Sequence, residues 1–429
     1  MMIICVYNLR CRCGHRKEVT LMMILHSDAN CFYASVEMVE NPELRNQRVA
    51  VCGDPEQRHG IVLTANYPAK RMGVKTGMAN WQAMQTCPGL IQVKPHYDLY
   101  LKYSKLLQRI YRRYSSNVEP FGMDECWISL PYDEDDAISI AEEIRQTVKD
   151  ETGLTVSIGV SFSKALAKLG SDMKKPDALT ALRRSDFKEK CWNLPVSDLL
   201  YVGPRTTKKL NTIGITTIGQ LANAPSDIIA QKLGKNGLMV QSFANGSDCS
   251  AVAPVGYSPA PKSIGHGATC TRDLEDNYSV WLALDELAQD ISHRMIVNTC
   301  KTTAVQLYVK DSSFMCHEYH APIHYPTQSA AIIAQAAYEL FLLYYRWDKP
   351  VRALTITASR LQDEKTPDQL DIFGDYLRFD KRNRLDRAID EIRSRFGRDA
   401  IFSACHCKRR TVLATDKCES VKMPGIMYH

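Results

Sequence analysis

Asp28, Asp124 and Glu125 are the residues whose types and placing could do chemistry. Met23-Ile-Leu-His-Ser-Asp28 reads as a buried strand that ends in an acid, and Asp124-Glu125 lies between strand-like pieces at 118–121 and 126–130. Convergent carboxylates disfavour one another's ionisation and call for a neutralising cation. Hard oxygen donors suit Mg²⁺, which keeps several waters and takes one or two carboxylates plus substrate phosphates. Two such ions, about 3.5–4 Å apart, would clamp the attacking and leaving oxygens of a phosphoryl transfer. Spacing alone leaves a plainer alternative open, in which Asp28 caps a helix and Asp124 and Glu125 are turn residues.

The neighbourhood favours the chemistry. Thr64-Ala-Asn-Tyr67-Pro-Ala-Lys70-Arg71 gathers a hydroxyl, a phenol and two cations within two helical turns. Tyr67 and Arg71 are four apart and share a face, and Lys70 and Arg71 can both approach a polyphosphate. Lys164 and Lys168 form another such pair on the helix that follows the central strand. Cations around a carboxylate–metal site describe triphosphate binding. No Gly-x-x-x-x-Gly-Lys-Ser/Thr loop occurs, which excludes a P-loop site.

Positioning these groups requires a particular order of elements. Setting aside an insert between residues 32 and 96, the first part reads β-α-β-β-α-β, the ferredoxin-like split βαβ, with strands one and three adjacent at the sheet centre. Helices are expected at 97–114 (apolar stripe Leu99, Leu106, Leu107, Ile110), 135–150 and 163–173. The same element order returns between residues 262 and 360. Between the two units lies an all-helical piece, 176–245, followed by a proline- and serine-bearing tether, 246–261.

Composition bounds the rest. The 429 residues, 45% hydrophobic and 24% charged, suggest two to four globular domains and exclude disordered or collagenous architectures. No run of about 18 apolar residues exists, so no membrane-spanning helix is expected. Fifteen cysteines, without a secretory signal, read as free thiols in a reducing, cytoplasmic setting. Cys5, Cys11, Cys13 and His15 lack zinc-finger spacing, and residues 1–22 are expected to be an unstructured leader. Between Arg378 and Arg410, 11 Lys and Arg face 5 Asp and Glu, a local excess equal to the whole chain's +6. A second basic island is Arg205, Lys208, Lys209, Lys232 and Lys235. Such islands suit a polyanion, although solvated helix faces would produce them too.

At these residues the sequence resembles the Y-family translesion DNA polymerases. The motifs that carry the resemblance are Asp28-Ala-Asn-Cys-Phe-Tyr-Ala-Ser-Val-Glu37, Thr64-Ala-Asn-Tyr-Pro-Ala-Lys-Arg-Met-Gly73, Met123-Asp-Glu125 and Ala165-Leu-Ala-Lys-Leu-Gly-Ser-Asp-Met-Lys-Lys-Pro176. They lie in a stretch of resemblance running from Met23 to about Phe373. The resemblance implies an α+β right-hand polymerase: a palm at 23–31 and 94–175, fingers at 32–93, a helical thumb at 176–245, a linker at 246–261, a βαββαβ little finger at 262–362, and a basic tail at 363–429. It further implies that Asp28 and Asp124 hold two Mg²⁺ ions, Glu125 the catalytic one and the Ala29 carbonyl the nucleotide-bound one. Tyr33 aligns with the steric gate against ribonucleotides and Phe32 with a nucleotide-pocket wall. Thr64, Tyr67, Lys70, Arg71 and Lys168 fall at the triphosphate side.

Three departures stand out: Lys70 where Arg is usual, Asn30 where an Asp that is not a ligand is common, and Gly122-Met123 where Ser-Ile is usual. None removes a metal carboxylate. Leu200-Tyr-Val-Gly203-Pro-Arg205-Thr-Thr-Lys208-Lys209 opens a helix after a glycine turn, as a helix-hairpin-helix does, and its N–H groups and cations suit a DNA phosphate. Gln369-Leu370-Asp371-Ile372-Phe373 resembles the pentapeptide by which bacterial polymerases dock on the sliding clamp. The expected activity is low-fidelity, distributive, template-directed extension of a primer from dNTPs by a monomer on primer–template DNA. The rivals are a catalytically weak subunit that occupies stalled primer ends and a metal-dependent nuclease, which would have no use for Tyr33 or the triphosphate cations.

Overall fold

The computed structural model describes residues 22–56, 60–257, 259–368, 375–397, 400–406 and 413. The leader and the pentapeptide at 369–373 lie outside the described residues. In chain order, β1 (Met23–Ala29) leads into α1 (Phe32–Glu40). A small insert follows: β2 (Val49–Cys52), β3 (Val62–Ala65), α2 (Tyr67–Arg71), α3 (Asn80–Thr86) and β4 (Ile91–Val93). Then come α4 (Tyr97–Tyr111), β5 (Val118–Pro120), β6 (Glu125–Leu130), α5 (Glu134–Thr152), β7 (Val156–Ser161), α6 (Lys164–Met173) and β8 (Leu179–Leu182).

The first sheet has the order β5-β6-β1-β7-β8. Its first four strands show the expected split βαβ arrangement, and β8 adds a fifth, parallel to β7. All seven residues of β1 are buried, as a central strand covered on both faces demands. The insert forms its own sheet, β3-β2-β4, over a separate small core that includes Ala50, Val62, Ala69 and Ala83. Helix α1 packs instead into the larger core, through Phe32, Ala34 and Val36.

Helix α4 buries a stripe different from the expected one. Tyr100, Tyr103, Leu107, Ile110 and Tyr111 face the core, while Leu99 and Leu106 are half-buried. The tyrosine hydroxyls enter the core because each finds a partner: Glu37 for Tyr100, Glu40 for Tyr103 and Ser27 for Tyr111.

Four helices follow: α7 (Phe187–Cys191), α8 (Pro204–Asn211), α9 (Ile218–Asn223) and α10 (Ser226–Ala244). The Thr217/Gln220 capping box starts α9. The second unit contains β9 (Ile264–Leu274), α11 (Asn277–Val297), β10 (Cys300–Asp311), β11 (Cys316–Thr327), α12 (Ala330–Tyr344) and β12 (Val351–Asp363), with its own core. The β-α-β-β-α-β order of elements recurs, but the sheet order is β11-β10-β12-β9. Its central strands are therefore the second and fourth, where the first unit centres its first and third. A further helix, α13 (Asp375–Phe396), occupies the basic stretch that reads from sequence as a tail. It packs on the second unit through Asn383 to Thr327, Asp386 to Ser329 and Arg387 to Gln328. No helix among the described residues is long and apolar enough to cross a membrane.

Candidate active site

The central pair of strands brings the acids together. Asp28, at the end of β1, is the direct register partner of Glu125, the first residue of β6. The next peptide closes the junction, because the Ala29 N–H donates to the carbonyl of Asp124 at 2.9 Å. Asp28 is 6% exposed, so its charge must be met inside the protein.

Two lysines meet it. Lys175 Nζ lies 2.8 Å from Asp28 Oδ2 and Lys168 Nζ 3.3 Å from the same oxygen. Lys168 also reaches Glu125 Oε1 at 2.9 Å, and both lysines hold Asp172. Helix α6 can stand this close because Gly159 on β7 and Gly170 on α6 carry no side chains: a Cβ on Gly159 would come within 2.0 Å of the Ala167 carbonyl.

The carboxyls respond unequally. Burial opposes ionisation of Asp28, but Lys168 and Lys175 together outweigh it and hold its pKa below the ordinary 3.8. Burial, reinforced by the Asp28 charge, pushes Asp124 up to about 6. Glu125 is raised to about 8, by burial first and by Asp28, against the pull of Lys168. His26, also on β1, is fully buried and held well below its ordinary 6.5, chiefly by burial. Its Nδ1 bonds Ser171 Oγ at 2.9 Å, and its Nε2 lies 3.7 Å from Glu125 Oε2.

The aromatic wall comes from α1 and α4. Tyr33 stacks on Tyr100 at 4.2 Å and meets the edge of Tyr97. The Tyr33 hydroxyl faces Met123 Sδ at 3.5 Å, and burial, Tyr97 and Asp124 raise its pKa to about 12. Phe32 is buried beside Tyr33 and Tyr100. Tyr67, on α2, lies beside Cys31 and Asn30, and burial raises its pKa. Lys70 and Arg71 are exposed on the same short helix, with Lys70 Nζ 5.3 Å from the Tyr67 ring centre. Thr64 is half-buried on β3.

Asn30 proves to be a tie: its amide donates to Ser157 and accepts from the Asp177 N–H. Sequence reasoning missed Lys175, Asp172 and His26 as site residues. The signal for Asp172 was present, since it lies four residues after Lys168 on α6, whereas Lys175 stands beyond the end of that helix at Met173.

Away from the acids, Gly203 is the N-cap of α8, which carries Arg205, Lys208 and Lys209. Lys208 lines an open groove of about 760 Å³ with Pro204, Thr207 and Asn211.

The two β-α-β-β-α-β units, with a helical segment between them, have the fold of solved Y-family DNA polymerases. A Y-family DNA polymerase chimera matches with a TM-score of 0.71 at 21% identity, over 80% of this chain and 99% of that one. The models of the impB/mucB/samB family and of its C-terminal domain match residues 27–172 and 261–372. Among curated relatives, the DNA polymerase IV of Acetivibrio thermocellus is 45% identical over 92% of this chain and 98% of its own length. That of Moorella thermoacetica is 36% identical over 89% and 95%. The chain belongs to the impB/mucB/samB family, and it is a translesion DNA polymerase, acting on primer–template DNA and deoxynucleotides. Divalent-metal dependence follows from that membership, and Asp28, Asp124 and Glu125 fit it: three hard oxygen donors at the junction of the central strands, Asp28 buried and the other two half-buried beside it.

Proposed function

We propose that Asp28, Asp124 and Glu125 are the catalytic carboxylates of primer extension and that Mg²⁺ is the metal, two ions per site. The observation that carries this is the Asp28–Glu125 register pair on the two central strands, with Asp124 stitched to Ala29. When bound, the ions supply Lewis-acid neutralisation of the charge that develops on the transferred phosphoryl group. The chain's own residues do the rest. Asp28, kept ionised by two lysines, offers charge at every working pH. Asp124, raised only to about 6, is ionised at neutral pH, and Glu125 would release its proton to solvent where it holds a metal ion. Lys168 and Lys175 then exchange carboxylate partners for the anionic triphosphate, with Tyr67, Lys70, Arg71 and Thr64 along its other side. Lys70 contributes a point charge where Arg would offer a two-pronged fork.

Tyr33, held by its stack on Tyr100, occupies the space a ribose 2′-hydroxyl would need, and Phe32 backs the pocket wall. On this reading the first sheet, with β8 from the stretch expected to be all-helical, is the palm, the insert the fingers, the helices from α7 to α10 the thumb and the second unit the little finger. Gly203, Arg205, Lys208 and Lys209 grip a DNA phosphate at the start of α8, and Gln369, Leu370, Asp371, Ile372 and Phe373 dock on the sliding clamp. The chain works as a monomer. Primer extension with Mg²⁺ on undamaged and abasic templates, one nucleotide at a time, tests the reading. Binding without extension would favour the non-catalytic subunit instead.

A further inference from the structure

A second cluster of ligand-type side chains lies in the other unit. Asp285, 8% exposed, interrupts an apolar face of α11 between the buried Ala283, Leu284, Leu287 and Ala288. Its Oδ2 faces His406 Nε2 at 2.9 Å and accepts from Gln289 Nε2 at 2.8 Å. Cys405 stands beside them, and its Sγ, the imidazole nitrogen and the carboxylate oxygen all lie within 4.8 Å of one another. Cys405 and His406 come from a turn of 3₁₀ helix beyond α13, more than a hundred residues from Asp285 in sequence. That turn is already held in place: Tyr278 donates to the Cys405 carbonyl, and Arg393 to that of Ile401. Leu413 is buried against the second core, bridged to Cys270.

We propose that Asp285, Cys405 and His406 bind a zinc ion that fastens the C-terminal segment to α11. A thiolate with an imidazole is a soft-to-borderline donor pair, which selects zinc over magnesium or calcium. Tetrahedral bonds of about 2.0–2.3 Å set ligand atoms roughly 3.3–3.7 Å apart. The His406–Asp285 pair therefore opens by a few tenths of an ångström, and Cys405 Sγ, within 4.8 Å of both, closes by at most about 1.5 Å. The carboxylate is buried and the other two groups are partly accessible, so the ion enters from solvent and keeps water as its fourth ligand. On binding, the Cys405 thiol loses its proton to solvent, His406 binds as the neutral imidazole, and Asp285 supplies the second negative charge. This ion is distinct from those of the polymerase site: Asp285 belongs to the second unit, Cys405 and His406 to the segment beyond α13, and none is Asp28, Asp124 or Glu125.

The test uses the full chain, purified without a metal-affinity tag, loaded with Zn²⁺ and freed of excess by buffer exchange. One zinc per chain by elemental analysis is expected, together with a thiolate-to-cobalt charge-transfer band when Co²⁺ is used as the probe. Cys405→Ser should abolish that band, and both Cys405→Ser and His406→Gln should weaken zinc binding at least about tenfold. Circular dichroism confirms that the variants fold, and single-nucleotide insertion should be unchanged in both. Less than stoichiometric zinc in the wild type would overturn the proposal. So would zinc retained at full occupancy in both variants, which would place it on other thiols.

Discussion

The unequal carboxyls make the sharpest statements at the scale of single residues. Asp124→Asn or Glu125→Gln should abolish primer extension while leaving primer–template affinity within a few-fold, because phosphate contacts elsewhere carry the affinity. More than about a tenth of wild-type activity in both variants would remove them from the reaction. Glu125 also predicts a pH dependence of stability. Its pKa rises from 4.5 to about 8 on folding, so between those values the folded chain holds a proton that the unfolded chain has released. Metal-free protein should therefore lose stability as pH climbs through that window, and Glu125→Gln should flatten the decline. Melting temperatures in chelator from pH 5 to 8 decide it, and a wild-type chain that gains on Glu125→Gln as pH rises would reverse the sign. At Tyr33 the discriminating interaction is a clash rather than a bond. Tyr33→Ala should raise ribonucleotide incorporation by orders of magnitude, read as the ratio of ribo- to deoxynucleotide kcat/KM. An unmoved ratio would leave Tyr33 as the packing partner of Tyr100 alone.

Individual elements show where the sequence was legible and where it was not. Four strands of the first sheet could be read because each is short, apolar and bounded by turn residues, and the acids stand at their ends. Strand β8 (Leu179–Leu182) could not, since it lies in the stretch expected to be all-helical and gains its place by pairing with β7. The stripe of α4 could not, because a tyrosine is buried only when its hydroxyl finds an acceptor, and Glu37, Glu40 and Ser27 lie on other elements. The second sheet repeats the order of elements without repeating their pairing, since pairing between distant strands is set by packing. Helix α13 was hidden by its charge: Tyr376 and Phe379 meet Tyr325 of the second unit, but most of its other contacts are polar, through Asn383, Asp386 and Arg387. Lys175 was missed because it lies past the last turn of α6, and only the close seat of α6 on β7 brings that stretch to Asp28. That closeness is itself testable. A methyl at position 159 would meet backbone atoms of Ala167 and Ser171, at 2.0 and 2.5 Å, which cannot swing aside. Gly159→Ala should thus lift α6, cost about 1–3 kcal/mol of stability or more, and raise the KM for nucleotide as Lys168 moves. A melting temperature and KM equal to wild type would show that α6 is free to shift.

At the scale of the whole molecule, the two largest cores are joined by a segment that is less free than its composition suggests. Val252 is buried against Ile24, Trp127 and Ala167, and the N–H groups of Ala253 and Val255 bond Glu119 and Ser116 on the first unit. Only the later part of the tether is left to act as a joint. Beyond β12, Asp368 is anchored by Lys301 at 2.8 Å and by Tyr376 at 3.3 Å, so both sides of residues 369–373 are fixed to the second unit. A docking segment fixed at both ends suits a clamp that encircles the same duplex, because a weak second attachment raises the effective concentration of enzyme at the primer end without altering its chemistry. Leu370, Ile372 and Phe373 would supply the apolar anchors and Gln369 the polar rim. Replacing Leu370 and Phe373 by Ala should eliminate stimulation by the sliding clamp and leave clamp-free insertion unchanged. The anchors of Asp368, and the polar bonds from α13 to Thr327 and Gln328, do not depend on either side chain, so the melting temperature should stay as well. Loss of stability and of clamp-free activity together would mean that these side chains pack inward on the second unit, and the docking role would fall.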